Sequence, residues 1–209
     1  QKLTQAIQEF EITTAFTSPI IGKKIAASCN SQKISLSDIK RFFLAGAPAH
    51  PSLVKDLAKI IPNGKVFLPY GATEALPVSI ADHIDVNNLA KDIALGNGSC
   101  LGRPLTGNSI RIYPNTFSPF ESGINCPKEL RKGEVGEICV SGSVVSKEYF
   151  RMPGATLDSK FSDGQLNFHR MGDLGYFDAD GFLRFLGRKA ERVLTKNGPL
   201  ETERCEPLI

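Results

Sequence analysis

The chain has 209 residues, 41% of them hydrophobic, and carries a net charge of +3 from 25 basic and 22 acidic residues. That is enough material for one large or two small globular domains burying about 70% of the unfolded surface. The charges form no run of one sign and no apolar stretch approaches the roughly 20 residues of a spanning helix, so nucleic-acid, membrane-surface and transmembrane roles are not called for.

From the amino terminus, Leu3, Ala6, Ile7 and Phe10 recur at helical spacing, Ile12 to Phe16 is a short β-branched run, and Ser18-Pro19 opens a helical stretch through Ala27. Arg41 to Ala45 reads as a buried strand that stops at Gly46-Ala47-Pro48. A helix over residues 51–60, with Pro51 in its first turn, returns the chain to a strand at Lys65 to Pro69. Two strands so joined are expected to be parallel neighbours with a right-handed crossover. Ligands of open parallel sheets bind beyond the carboxyl ends of the strands. Gly46-Ala47-Pro48 and Tyr70-Gly71-Ala72-Thr73-Glu74 follow such ends and are expected to face one crevice.

The second of these segments offers an aromatic face for a base, a glycine that lets backbone approach a ligand, a hydroxyl, and a carboxylate of the kind Mg²⁺ takes beside phosphate oxygens. The plainer alternative is a strand followed by a helix that Thr73 caps.

After Asp85 glycine and proline become frequent. Ser109 to Tyr113, Gly136 to Ser141 and Phe182 to Leu186 read as strands of a small β-barrel or sandwich, with the boundary near residues 87–95. Pro114 to Lys132 reads as a surface loop. Gly96, Gly98 and Gly102 follow a G-x-G-x-x-x-G spacing with no strand before or helix after, so they are a turn into Arg103-Pro104 and not a dinucleotide fingerprint. The five cysteines are far apart, without a C-x-x-C pair or a nearby histidine, and read as reduced thiols. His50, His83 and His169 are isolated, the first two as loop residues. With residues 1–10 lacking a basic-then-apolar leader, the default location is cytoplasmic.

Asp180-Gly181 is a hairpin signal, so the flanking strands are expected to run antiparallel and to bring Asp173 and Arg188 together at one end. Such a pair is either a structural ion pair or a pair that binds a sugar's hydroxyls.

Taken in order, Gly46-Ala47-Pro48, Tyr70 to Glu74, Gly133-Glu134-Val135-Gly136-Glu137-Ile138, Gly172-Asp173-Leu174-Gly175 and Gly187-Arg188 resemble the AMP-forming acyl-activating superfamily over nearly the whole chain. That group includes acyl-CoA synthetases, luciferases and peptide-synthetase adenylation domains. The resemblance implies an α/β fold that is part of the large N-terminal domain of an acyl-adenylate-forming enzyme. A parallel-sheet α/β subdomain would occupy residues 1–90, a small β-barrel-like subdomain 91–187, and a hinge with the start of a C-terminal domain 188–209.

The resemblance also implies that Gly46, Ala47 and Pro48 border the adenine and acyl pocket, with Gly71 in its wall and Tyr70 stacked on adenine. Thr73 would contact phosphate, Glu74 would hold Mg²⁺, and Asp173, assisted by Arg188, would bind the ribose hydroxyls. The implied reaction is attack of a substrate carboxylate, a fatty acid among the candidates, on the α-phosphorus of ATP, giving acyl-adenylate and pyrophosphate. Positioning and charge neutralisation are the protein's main contributions to such transfers.

Members of the group carry a Ser/Thr/Gly-rich phosphate loop ending in lysine and a late lysine near the reacting groups. Neither is found in this chain, which is expected to be a fragment that is inactive alone. The run from Gly187 through Arg188, Lys189 and Ala190 to Val193, and His169-Arg170-Met171 ahead of Gly172-Asp173, are similar to the olefin-pathway β-lactone synthetases. These activate a 3-hydroxy fatty acid and close it through its own hydroxyl. The competing acceptors are coenzyme A and a carrier-protein thiol. Outside the enzymes stand a nucleotide-binding relative without turnover and a purely structural α/β domain that binds no nucleotide.

Overall fold

The computed structural model describes residues 2–196 and 198–206, so the last part of the expected hinge segment, 207–209, lies outside the described residues. Helix α1 (Lys2–Glu9) leads through a left-handed Glu11 to strand β1 (Thr14–Thr17), and α2 (Pro19–Gln32) follows. Helix α2 runs past Ala27 because its buried face, Gly22, Ile25, Ala26 and Cys29, continues at helical spacing. It ends on Lys33 in the left-handed conformation, whose N–H returns to Cys29 and Asn30 carbonyls.

Strand β2 (Arg41–Leu44), helix α3 (Pro51–Ile60) and strand β3 (Lys65–Ala72) form the expected unit, with β1, β2 and β3 parallel neighbours. Val54, Leu57 and Ile60 recur every third residue of α3 and are buried against Phe42, Leu44 and Val66. Fully burying one such side chain stabilises by about 1.5–3 kcal/mol.

Strand β3 is longer than Lys65 to Pro69 and turns straight back as β4 (Ala75–Asp82), which pairs with it antiparallel. No helix starts at Thr73. Ala75 and Val78 of β4 are wholly buried, and pairing Ala72 with Ala75 leaves Thr73-Glu74 at the hairpin tip. Asp82 then caps α4 (His83–Asn88), so His83 begins a helix and is not a loop residue; its Nδ1 accepts the Val66 N–H at 3.4 Å.

After α5 (Ala90–Ala94) the strands interleave. β5 (Ser99–Cys100) joins a second sheet, while β6 (Arg103–Pro104) returns to complete the first, whose order is β1-β2-β3-β4-β6. The second sheet takes β7 (Asn108–Tyr113), β8 (Gly136–Gly142), β9 (Lys160–Ser162) beyond α6 (Pro153–Ser159), β10 (Asn167–Phe177) and β11 (Leu183–Arg188). Its order is β5-β11-β10-β8-β7, with β9 on β10. The barrel-like expectation is corrected here. Edge strands β5 and β7 do not pair, because β5 is two residues long and the chain leaves it at once for the first sheet, so this sheet stays open. The segment between β7 and β8 is loop, as expected, with a short 3-10 turn at Gly123–Asn125. The carboxyl-terminal residues form a small hairpin, β12 (Val193–Thr195) with β13 (Gly198–Leu200).

Among the described residues no helix is long and apolar enough to cross a membrane.

Candidate functional site

The turn at Asp180-Gly181 pairs β10 with β11, and a bulge between Leu174 and Gly175 shifts the register by one residue, so that Asp173 is the direct cross-strand partner of Arg188. Arg188 donates from one guanidinium nitrogen to Asp173 Oδ1 at 2.9 Å and to the Met171 carbonyl at 3.2 Å. The Tyr70 hydroxyl, at the end of β3 in the other sheet, donates to Asp173 Oδ2 at 2.6 Å. Both carboxylate oxygens are therefore held, from two sheets. The Asp173 side chain is 7% exposed while that of Arg188 is 54% exposed, so the carboxylate is fixed and the guanidinium keeps donors facing solvent. Desolvation raises the Asp173 pKa above the usual carboxylate range, against the lowering effect of the Tyr70 hydrogen bond and the Arg188 charge. Burial, with the Asp173 carboxylate next, pushes the Tyr70 phenol well above its ordinary value.

These groups rim a cavity of about 180 Å³ that Gly46, Ala47, Pro48, Tyr70, Gly71, Asp173 and Arg188 all line. The two strand ends thus share one crevice, as expected. Its floor is apolar, with Leu44, Leu68, Val86 and Ile93 below and Phe185 beside it. Pockets for whole organic ligands typically run about 300–1,000 Å³, so this cavity has room for part of a nucleotide.

Gly46 has φ +91° with open space where a Cβ would stand, so its conformation calls for glycine and its open side faces no neighbour. At Gly71, which lines the cavity, a Cβ would collide with the Ala75 carbonyl and Leu76 of its own hairpin, so tight β3–β4 pairing already requires glycine at this position.

Thr73 and Glu74 do not line the cavity and sit at the hairpin tip. Glu74 Oε1 accepts the Tyr149 hydroxyl at 2.7 Å, and the Glu74 carbonyl accepts the Ser146 N–H at 2.7 Å. The Tyr149 bond is the largest influence holding the Glu74 carboxyl below its ordinary pKa, helped by Lys160 and His169 nearby. Among the described residues no cluster of three or more His, Cys, Asp or Glu could hold a metal. A single ionised carboxylate with free lone pairs suits Mg²⁺, which is typically bound through one or two carboxylates together with phosphate oxygens.

Sequence reasoning did not anticipate the contacts of three residues. Tyr149 carries no motif signal that points to Glu74, 75 residues away. His169 is 3% exposed, its Nδ1 is 3.4 Å from the Lys160 amine, and desolvation lowers its pKa to about 4. Glu137, 1% exposed, sits between two cations: it accepts from Arg170 at 2.6 and 3.1 Å and from Lys189, next to Arg188, at 3.0 Å. No local spacing links residues 137, 170 and 189, so this cluster carries no signal in the sequence. Cys100 lines the cavity with its thiol pushed up to about 11 by burial, which keeps it protonated and unreactive.

Two open sheets joined by a tyrosine-carboxylate bond, with a pocket at the carboxyl ends of parallel strands, define an α/β protein with a crevice where such sheets bind their ligands. Comparison with known proteins narrows that class: residues 1–150 match the family described as AMP-binding enzyme, and the chain belongs to that family. It is 37% identical, over 100% of its own length, to an olefin β-lactone synthetase of Stenotrophomonas maltophilia (strain K279a), of which it covers 38%. It is 30% identical over 93% of its length to a 2-succinylbenzoate–CoA ligase of Bacillus licheniformis, covering 35% of that protein. The chain therefore spans between a third and two fifths of these relatives. In structure it matches the amide bond synthetase of Marinactinospora thermotolerans with a TM-score of 0.78 at 24% identity, over 97% of this chain and 37% of that one.

Proposed function

We propose that the chain supplies the nucleotide-binding half-site of an ATP-dependent ligase that activates a carboxylic acid as its adenylate. The observation that carries this reading is the Asp173 carboxylate, buried at the pocket rim and oriented by Tyr70 and Arg188. Each oxygen keeps a lone pair for a ribose hydroxyl, and the exposed guanidinium of Arg188 supplies further donors to the same sugar. The Tyr70 ring, with Gly46, Ala47 and Pro48 opposite, would receive adenine. Thr73 would meet phosphate, and Glu74 would hold Mg²⁺, which would neutralise phosphate charge. This chain's residues would bind and orient; the reaction is carboxylate attack on the α-phosphorus with loss of pyrophosphate.

For the acid, the 37% identity to an olefin β-lactone synthetase over the whole chain favours a 3-hydroxy fatty acid. Its own hydroxyl would attack the activated carbonyl, expel AMP and close a four-membered lactone, an intramolecular step favoured by proximity. The CoA ligase relative supports a second reading, in which coenzyme A is the acceptor. Mass spectrometry of products formed by the full-length protein from ATP, Mg²⁺ and a 3-hydroxy fatty acid separates the two. Lactone without coenzyme A is the expected result, and thioester formed only with coenzyme A would replace it by the second reading. If neither product nor AMP forms, the chain belongs to a nucleotide binder without turnover.

A further inference from the structure

We propose that Tyr149 is a positioning residue for the Mg²⁺ carboxylate, Glu74; the proposal rests on the metal-binding role given to Glu74 above. Glu74 stands at the tip of a two-residue hairpin turn, where an unassisted glutamate would sample several rotamers. Here the segment that follows β8 is built around it. The Ser146 N–H donates to the Glu74 carbonyl at 2.7 Å, and Ala75 bridges to Val145, so backbone from residues 145 and 146 fixes the tip itself. Three residues on, the Tyr149 hydroxyl reaches Glu74 Oε1 at 2.7 Å and fixes the side chain.

Tyr149 is in turn held at both ends. Its N–H donates to Thr156 Oγ1 at 3.0 Å, and that threonine hydroxyl donates to the Met152 carbonyl at 3.0 Å, closing the turn that carries the ring into α6. The ring packs edge-on to His169, with centroids 6.4 Å apart, and lies under the Lys160 amine at 5.8 Å. Lys160 donates to Ser146 Oγ at 3.3 Å, which ties the same two segments together a second time.

The consequence for a cation follows from donor and acceptor counts. A phenol donates one proton, so it occupies one lone pair of Oε1 and leaves the remaining acceptor sites of the carboxylate for metal. The bond lowers the orientational entropy that binding would otherwise remove, which favours a single carboxylate holding Mg²⁺ shared with a nucleotide. Tyr149 does not itself touch the metal in this arrangement and is not a catalytic residue.

The test uses the full-length protein with Mn²⁺ as a paramagnetic probe for Mg²⁺ and the α,β-methylene analogue of ATP, and reads the Mn²⁺ dissociation constant by electron paramagnetic resonance. Tyr149→Phe removes only the hydroxyl and retains the ring that packs on His169, so the fold is expected to persist. Losing a hydrogen bond to a charged group is expected to weaken Mn²⁺ binding about tenfold, with the affinity for the metal-free nucleotide unchanged. In turnover the same variant is expected to raise the KM for Mg²⁺ and to leave the KM for the acid alone. Unchanged or tighter Mn²⁺ binding by Tyr149→Phe, beside weakened binding by Glu74→Gln, would overturn the role of Tyr149 and leave that of Glu74 standing. Unchanged Mn²⁺ binding by Glu74→Gln would overturn both.

Discussion

Asp173 shows how a buried carboxylate can work against stability. Its pKa is raised by burial, so the folded state holds a proton more tightly than the unfolded chain does. Stability from this group is therefore fully present below the unfolded value near 3.9 and is lost as pH rises through the raised folded value. At neutral pH the charged form is the costly one. Asp173→Asn is accordingly expected to raise the melting temperature slightly while weakening AMP binding; a lower melting temperature would mean that Arg188 and Tyr70 outweigh the burial. His169 titrates with the opposite sign. A histidine lowered to about 4 binds protons more weakly folded than unfolded, so stability is lost as pH falls from 6.5 towards 4, by about 3 kcal/mol. Urea unfolding between pH 4 and 7 is expected to show this slope in the wild type and to lose most of it in His169→Gln.

At the level of elements, the β10–β11 hairpin was legible as a pairing, because Asp180-Gly181 marks the turn and places Asp173 and Arg188 at the same end. Counting from the turn puts Gly187 opposite Asp173, and it is the bulge between Leu174 and Gly175, which the sequence did not signal, that makes Arg188 the partner. The β3–β4 hairpin was less legible, since Thr73 can cap a helix as well as end a strand, and only burial of Ala75 and Val78 decides between them. The contacts of Glu74 with Tyr149 and of Glu137 with Lys189 were not legible, because each joins side chains across loops of unspecified course. Glu137 ties β8 to β10 through Arg170 and to the residue after β11 through Lys189. Breaking one side of a buried ion pair typically costs about 3–5 kcal/mol, since the partner charge stays buried. Glu137→Gln is expected to lose an amount in that range in urea unfolding, and a loss below about 1 kcal/mol would show that Arg170 is satisfied by its three carbonyl acceptors alone.

Across the whole molecule, alternation of helices and strands gave the three parallel strands of the first sheet but not β4 or β6, and short turn-bounded runs gave β7, β8, β10 and β11 of the second but not β5 or β9. Whether those strands close could not be read, because closure depends on pairing between β5 and β7, which lie far apart in sequence and carry no complementary signal. The pocket was legible from the ordered motifs, and it takes its rim from residues 46–48, 70–71, 173 and 188, contributed by both sheets and the loop after β2. Any ligand spanning that rim must bind the two sheets in one relative position. Nucleotide at a hundred times its dissociation constant is then expected to stabilise the fold by about 2.7 kcal/mol, a shift that a purely structural domain would not show in thermal unfolding with AMP.

The Tyr70–Asp173 bond has an optical side as well. The chain has four tyrosines and no tryptophan, so its near-ultraviolet emission is dominated by phenols. Two of those phenols, Tyr70 and Tyr149, donate to carboxylates, an arrangement that quenches tyrosine fluorescence, whereas Tyr176 donates to the Asn97 carbonyl. A sugar that draws Asp173 away from Tyr70 would brighten one quenched phenol, and a cation that repositions Glu74 would change the other. Either change is expected to appear, without a label, as a rise in tyrosine emission, and Tyr149→Phe would remove the contribution of the Glu74 side.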